Sequence, residues 1–294
     1  MRGARACAGV VLYRPDTALL ARQAEGLRGQ TLFVFSNGSV ETEALAALAP
    51  TQLRLFSSAE NVGLGQGLNA VMQAAAAEGF SHIMLLDQDS EPPAGLLDTL
   101  AARCLALEER GEKIAVLAPC LVPPQEGFYK PIRYEWRGPA RADGLAPLDF
   151  APTSGSLVSV AAFVAAGSFR EDFFIAGLDV EWGFRAWARG WGSYLVTDLA
   201  MPHRWGEAVG KEELGKPQIL RHSNLRNYYY ARNVVATAGL PHVPWRWRIK
   251  SCTALAVQIG LLALKGARGS LKAVGMGLAD GFRGRRGPAP ADLE

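Results

Sequence analysis

With 294 residues, 49% of them hydrophobic and 20% charged, the chain can bury a sizeable core in one or two domains, which excludes an intrinsically disordered protein. The formal net charge of +3 is unevenly spread: nine Lys/Arg face three Asp/Glu from Pro241 onward, so a basic tail follows a mildly acidic body. Such a tail suits an anionic surface. The four cysteines (Cys7, Cys104, Cys120, Cys252) are far apart, without a C-x-x-C pair or clustered histidines. That spacing argues against a zinc site and a disulfide framework, and fits a reducing compartment.

The first segment, MRGARACAGVVLY, is basic then apolar like a weak signal peptide, but Arg14-Pro15-Asp16 ends the run early and it reads as a first strand. Strands are expected at Ala6–Leu12, Thr31–Phe35, Leu53–Phe56, His82–Leu86 and Ile114–Ala118. Helical patterns fall between them at about Thr17–Leu27, Thr42–Leu48, Gln66–Glu78 and Ala94–Glu109. Strands this apolar, alternating with helices, predict a Rossmann-like, mostly parallel sheet covered on both faces. Ligands of such sheets bind beyond the carboxyl ends of the strands, which puts Ser36-Asn37-Gly38, Glu60-Asn61 and Asp87–Asp89 on one rim.

Pro123–Pro147, rich in Pro, Gly and Arg with Phe128, Tyr129, Tyr134 and Trp136, reads as a long functional loop. A strand at Leu148–Ala151, the turn TSGS and a short helix at Val160–Ala166 follow. Leu178 to Trp187 fits a helix stopped by Gly190, Ser193–Val196 a strand, and Gln218–Ala238 a polar-aromatic helix. On that last helix Arg226, Tyr230 and Asn233 share a face, with His222 and Arg232 nearby, suited either to an anion or to packing. From Trp245 to Arg286, Trp245, Trp247 and six cations bracket an apolar segment, a pattern of interfacial helices and equally of a core helix with solvated ends. Its longest uncharged run, Ser251–Leu264, is shorter than the ~20 residues of a spanning helix, so the chain is not expected to cross a membrane, which leaves both the interfacial and the core reading open.

The segment IMLLDQDS carries a buried-strand pattern into two aspartates, Asp87 and Asp89. Carboxylates this close repel unless a cation sits between them, and at a strand end the pair can hold a hard divalent ion with oxygens left over for a diphosphate. The competing reading is an N-cap for a helix after Pro92-Pro93 by Asp89 or Ser90, which explains one residue but not both. D-x-D after an apolar strand also occurs in aspartyl-phosphate phosphatases, there normally on the first strand; four α/β steps precede it here. NVGLGQGLN (61–69) lacks the third glycine of a dinucleotide fingerprint, since position 68 is Leu68, so a nicotinamide enzyme is not expected. The loop would still offer backbone N–H groups to an anion, or serve only as a turn.

YRPD, SNGS, ENVGLGQGLN, LLDQDS, TSGS, FFIAGLDVEW and GLADGFRGRRG occur in one order over nearly the whole chain. Together they resemble family 2 glycosyltransferases, in the bacterial rhamnosyltransferase branch. The resemblance implies an A-type nucleotide-diphospho-sugar fold at 1–240, with a basic amphipathic helical tail at 241–294. It also implies Mg²⁺ or Mn²⁺ as cofactor and inversion at the anomeric carbon. Matched by motif, Asp87 and Asp89 are metal ligands with His203, and Asp179 is the catalytic base. Ser36, Asn37, Asn61, Gly63, Asn69 and Gln88 are nucleotide-side residues; Ser154, Gly155, Glu181, Trp182, Arg204 and Arg226 are acceptor or diphosphate candidates. The bland reading of Asp179 is an acidic residue favoured in a first helical turn.

Two positions depart from the family pattern: Ser36 stands where an aspartate usually contacts the nucleotide base, and Leu178 where an acidic residue usually precedes the base. The expected reaction moves a sugar, L-rhamnose from dTDP-rhamnose above others, onto a hydroxyl of a lipid-linked glycan in surface polysaccharide synthesis. The alternative is an inactive homologue that binds sugar nucleotides or glycans. An anionic membrane surface at the inner face of the cell membrane is the expected partner, nucleic acid is not, and a homo-oligomer stays open.

Overall fold

A computed structural model describes residues 5–124, 132–204 and 223–293. Phe128, Tyr129 and the stretch Gln218–His222 lie outside them.

An eight-stranded mixed sheet runs in the order β3-β2-β1-β4-β7-β5-β8-β6. Its strands are β1 (Ala6–Leu12), β2 (Thr31–Asn37), β3 (Gln52–Ser58), β4 (His82–Leu86), β5 (Ile114–Val122), β6 (Leu145–Leu148), β7 (Ser156–Ser159) and β8 (Gly192–Pro202). β1 pairs parallel with β2 and β4, β2 with β3, and β5 with β8. β7 runs antiparallel between β4 and β5, and β6 antiparallel on the edge beside β8.

Period-2 alternation along these strands sorts side chains into two cores. Val11, Phe33, Phe35, Ile83 and Leu85 pack under α3 (Leu64–Ala77), α5 (Val160–Ala166) and α6 (Leu178–Ala188). Val10, Leu12, Leu32, Val34, Met84 and Leu86 pack on the other face under α1 (Thr17–Gly26), α2 (Thr42–Ala46) and α4 (Leu96–Glu109). The expected two-faced sheet is therefore present, with two corrections. The strand expected at Leu148–Ala151 lies at Leu145–Leu148, an edge position that tolerates Pro147 because its outward side needs no donor. The unexpected β7 is four residues long with serines at both ends, too short and polar to show a strand pattern.

The tail is a helical layer: α8 (Trp245–Leu264) and α9 (Arg268–Phe282) pack with α7 (Asn224–Ala238). α8 buries only Ser251, Leu255 and Leu262, while Trp245, Ile249, Val257 and Leu264 are 66, 59, 55 and 86% exposed. Among the described residues it is also the one helix long and apolar enough, by length and composition, to cross a membrane.

Candidate active site

The topology makes the site. The chain goes outward from β1 to β3 and returns to β4 on the other side of β1, leaving a crevice at the carboxyl ends of β1 and β4. β8 runs parallel with β5, so its carboxyl end reaches the same rim, and antiparallel β7 starts there. Asp87 and Asp89 follow β4, Ser154 and Gly155 precede β7, and His203 follows β8. As a result the candidate ligand atoms of Asp87, Asp89 and His203 lie within 4.8 Å of one another.

The D-x-D turn is braced from three sides. Ser90 closes it, its N–H donating to the Asp87 carbonyl at 3.0 Å and its Oγ accepting from the Asp87 N–H at 3.1 Å. Buried Gln23 on α1 donates from Nε2 to the carbonyls of Asp87 (2.8 Å) and Ser90 (3.1 Å). Gln88 Oε1 accepts from the Tyr13 N–H at 2.9 Å, bridging the crevice. The capping alternative fails, because α4 starts at Leu96 behind Gly95, whose φ is +79°. Both carboxylates remain available to a ligand.

Their electrostatics fit a cation. Burial first, then the Asp89 charge, pushes the Asp87 carboxyl up to about 7, against the opposing pull of Arg226 on α7. Burial holds His203 below its usual value, with Asp89 working the other way. Its Nδ1 lies 3.2 Å from Ser154 Oγ, which is 2.5 Å from Ser90 Oγ, so a serine relay holds one of its ring nitrogens. Two carboxylates and a neutral imidazole are a donor set for a divalent ion such as Mg²⁺ or Mn²⁺.

Asp179 sits in the first turn of α6, after a loop of unusual backbone: Phe174, Ala176 and Gly177 have φ of +65°, +70° and +77°. α7 fixes that loop. Asn233 Nδ2 donates to the carbonyls of Phe173, Ile175 and Ala176, and the fully buried Arg232 donates to the Phe173 carbonyl at 2.8 Å. These bonds hold two non-glycine residues in the left-handed region, which costs of order 1–3 kcal/mol each. A pocket lined by Leu85, Ala151, Pro152, Phe169 and Trp182 abuts Asp179. Burial raises its carboxyl to about 6; the Val180 N–H, donating to Oδ1 at 2.9 Å, opposes this and the Asp87 charge adds to it. A half-buried carboxylate poised near neutrality beside a cation site can take a proton.

Other expected residues fall into place differently. Ser36 Oγ donates to the Gly38 carbonyl at 2.7 Å. Asn37 and Asn61 bond each other at 2.9 Å and accept from the N–H groups of Val62 and Gly63, tying the loops after β2 and β3 together. In the glycine-rich loop the Leu64 and Gly65 N–H groups donate to the Phe174 carbonyl and so are not offered to an anion. Its glycines serve close packing: a Cβ on Gly63 would lie 2.7 Å from the Phe174 ring, and one on Gly67 2.8 Å from Val11.

Asn69 is a correction. It is buried, and its amide holds the Phe169 N–H and carbonyl and the Glu171 carboxylate, leaving nothing for a nucleotide. Glu181 is another, being buried and paired with Arg185 at 2.8 Å and His242 at 2.9 Å on the face of α6 away from the rim. Trp182 lines the pocket at Asp179 and donates to the Gly167 carbonyl. Gly155, at φ +75°, donates to the Leu85 carbonyl, and a Cβ there would meet Met201 at 2.7 Å. Arg204 pairs with Glu91, which also holds Arg22 at 2.9 Å. Arg226 is exposed and close enough to oppose the rise at Asp87.

Sequence reasoning missed Gln23 and Glu91, and gave Ser90 only a capping role. Gln23 alone left a signal, a polar residue inside the buried Leu20–Ala24–Leu27 stripe of α1.

No family model matches the chain. It is 25% identical to the dTDP-rhamnosyl transferase RfbF of Shigella flexneri over 247 residues, 80% of each protein. Among solved structures it resembles GalNAc-T7 with UDP, GalNAc and Mn²⁺ (TM-score 0.55, 14% identity, 85% of this chain) and S. aureus TarS (0.53, 13%, 94%). It spans 55% of each of those two chains, and 92% of a TarS 1–349 chain in complex with UDP-GlcNAc (TM-score 0.51, 12%, 96% of this chain). The solved structures show that the chain has the A-type glycosyltransferase fold, and the curated protein it is similar to over 80% of its length is a dTDP-rhamnosyl transferase.

Proposed function

We propose that the protein is an inverting, metal-dependent glycosyltransferase that moves L-rhamnose from dTDP-rhamnose to a hydroxyl of a lipid-linked glycan during surface polysaccharide synthesis. The observation that carries this reading is the convergence of Asp87, Asp89 and His203, within 4.8 Å, on the rim that also holds Asp179. Mg²⁺ or Mn²⁺ held by those three residues would supply charge against the diphosphate as it leaves. The nucleotide end would extend toward the open cleft lined by Arg14, Thr17, Ser39, Val40 and Glu41, beside the β2 end where Ser36 stands.

Asp179 takes the proton of the acceptor hydroxyl. The oxygen attacks the anomeric carbon as its bond to the diphosphate breaks on the opposite face, so configuration inverts. The pocket wall lowers the polarity around Asp179, and the strained loop held by Asn233 fixes its direction. Arg226 adds positive charge on the diphosphate side.

The exposed apolar stripe of α8, flanked by Arg246, Lys250, Lys265 and Arg268, supports residues 241–294 as the element that docks the enzyme on an anionic membrane, where a lipid-linked acceptor resides. On this reading the enzyme is peripheral at the inner face of the cell membrane. The test is a panel of sugar nucleotides with Mn²⁺ and a lipid-linked acceptor. Rhamnosyl transfer abolished by chelator is expected, and absence of both transfer and slow donor hydrolysis with every donor would sink the enzyme reading.

A further inference from the structure

At the end of β4 remote from Asp87, three side chains distant in sequence meet. His82 opens the strand, and Cys104 and Glu108, one helical turn apart, lie near the end of α4. His82 Nε2 is 3.1 Å from Glu108 Oε1 and 3.4 Å from Cys104 Sγ, and ligand atoms of all three lie within 4.8 Å of one another. A single ring nitrogen cannot donate to the carboxylate and accept from the thiol at once. With Nε2 protonated, its N–H serves the carboxylate and reaches the thiol only as a weak, shared acceptor; with Nε2 unprotonated, it accepts from the thiol and faces the carboxylate without a hydrogen.

Three electron-rich atoms around one point are what a cation requires. Tetrahedral zinc, with Zn–N of about 2.0–2.1 Å and Zn–S of about 2.3 Å, sets ligand-to-ligand edges of about 3.3–3.6 Å, close to the two separations measured from Nε2. The second ring nitrogen is already held: Nδ1 lies 3.0 Å from Ser81 Oγ, which also accepts from the Arg5 N–H. Such a partner fixes the ring orientation of a metal-bound histidine. His82 and Cys104 are buried, whereas the Glu108 side chain is 28% exposed, giving an entry path from solvent.

We propose that His82, Cys104 and Glu108 form a second metal site, for a thiophilic divalent ion of the zinc class, that pins the end of α4 to the start of β4. Burial and the Glu108 charge hold the free thiol in its protonated form, so coordination releases that proton to solvent as the S–metal bond forms. The site is independent of the sugar-transfer site, which contains no sulfur.

The chemistry separates the two sites. Chelator-treated full-length protein is titrated with Co²⁺ alone and followed by absorption. A thiolate-to-Co²⁺ charge-transfer band in the near ultraviolet is expected, reversed by Zn²⁺, kept in the Asp87→Asn/Asp89→Asn double variant and lost in Cys104→Ser. Glu108→Gln keeps the thiol and should weaken Co²⁺ binding about tenfold or more, which decides the question even if Cys104→Ser folds poorly. A wild-type protein without the band in excess Co²⁺, a band that survives Cys104→Ser, or unchanged affinity in Glu108→Gln each overturns the proposal.

Discussion

Replacing Asp179 by Asn tests the base most directly, because the amide keeps the shape, and its oxygen can still accept from the Val180 N–H. What it loses is the ability to take a proton, which general-base catalysis values at about 10²–10⁴ in rate. The raised carboxyl, about 6, sets the pH behaviour. The base works ionised, so transfer rises with pH through about 6; near pH 5 about a tenth of the molecules would carry the active form, against nearly all at pH 7.5. The same shift acts on stability with the opposite sign. A carboxyl raised from 3.8 binds its proton more tightly folded than unfolded, so stability falls as pH climbs from about 4 to about 6.

The full linkage is about 3 kcal/mol, and partial solvent contact trims it to about 1–2 kcal/mol. Asp179→Asn should therefore melt higher than wild type at pH 7.5 while transferring sugar 10²–10⁴-fold more slowly. Single-turnover transfer from pH 5 to 9, donor affinity by calorimetry and thermal melting measure the three effects. Donor affinity within a few-fold of wild type is expected. Transfer within tenfold of wild type, or an inflection near pH 6 that persists in the variant, would refute Asp179 as the base.

Metal-free protein should be stabilised by Mn²⁺ more at pH 7.5 than at pH 5.5, because the Asp87 carboxyl, raised to about 7, must ionise to bind it; equal melting shifts at both pH values, or an undiminished shift in Asp87→Asn, would contradict the ligand set. Asn233→Ala removes three bonds to the loop before Asp179 and strands its carbonyls, so urea unfolding should show a loss of roughly 2–3 kcal/mol and kcat should fall more than donor affinity. An unchanged midpoint would show that the loop holds its own shape. Trp245→Ser with Ile249→Ser should cut co-sedimentation with anionic vesicles severalfold while leaving transfer to a soluble acceptor analogue intact, both side chains being exposed; undiminished co-sedimentation would remove α8 from the membrane contact.

Local patterns in the sequence determined much of this protein. Apolar runs of strand length alternating with amphipathic helices specify β1 to β5 and α1 to α4, since each pattern reports its own periodicity over neighbouring residues. The rule that ligands sit beyond strand carboxyl ends then put Asp87 and Asp89 on the rim, and their resemblance to a known family carried Asp179 and His203 to the same place. What depends on partners far along the chain could not be read. The Leu64 and Gly65 N–H groups of the glycine-rich loop are spent on the Phe174 carbonyl about 110 residues away, and Asn69 on Phe169, 100 residues away.

β7 escaped notice because four residues carry too little alternation, yet its antiparallel insertion is what brings Ser154 to His203. The wide spacing of the cysteines argued against a zinc-like site, and only the packing of α4 on β4 sets Cys104 and Glu108 against His82. Periodicity fixes which face of an element is buried, and tertiary packing alone decides which polar atoms meet there.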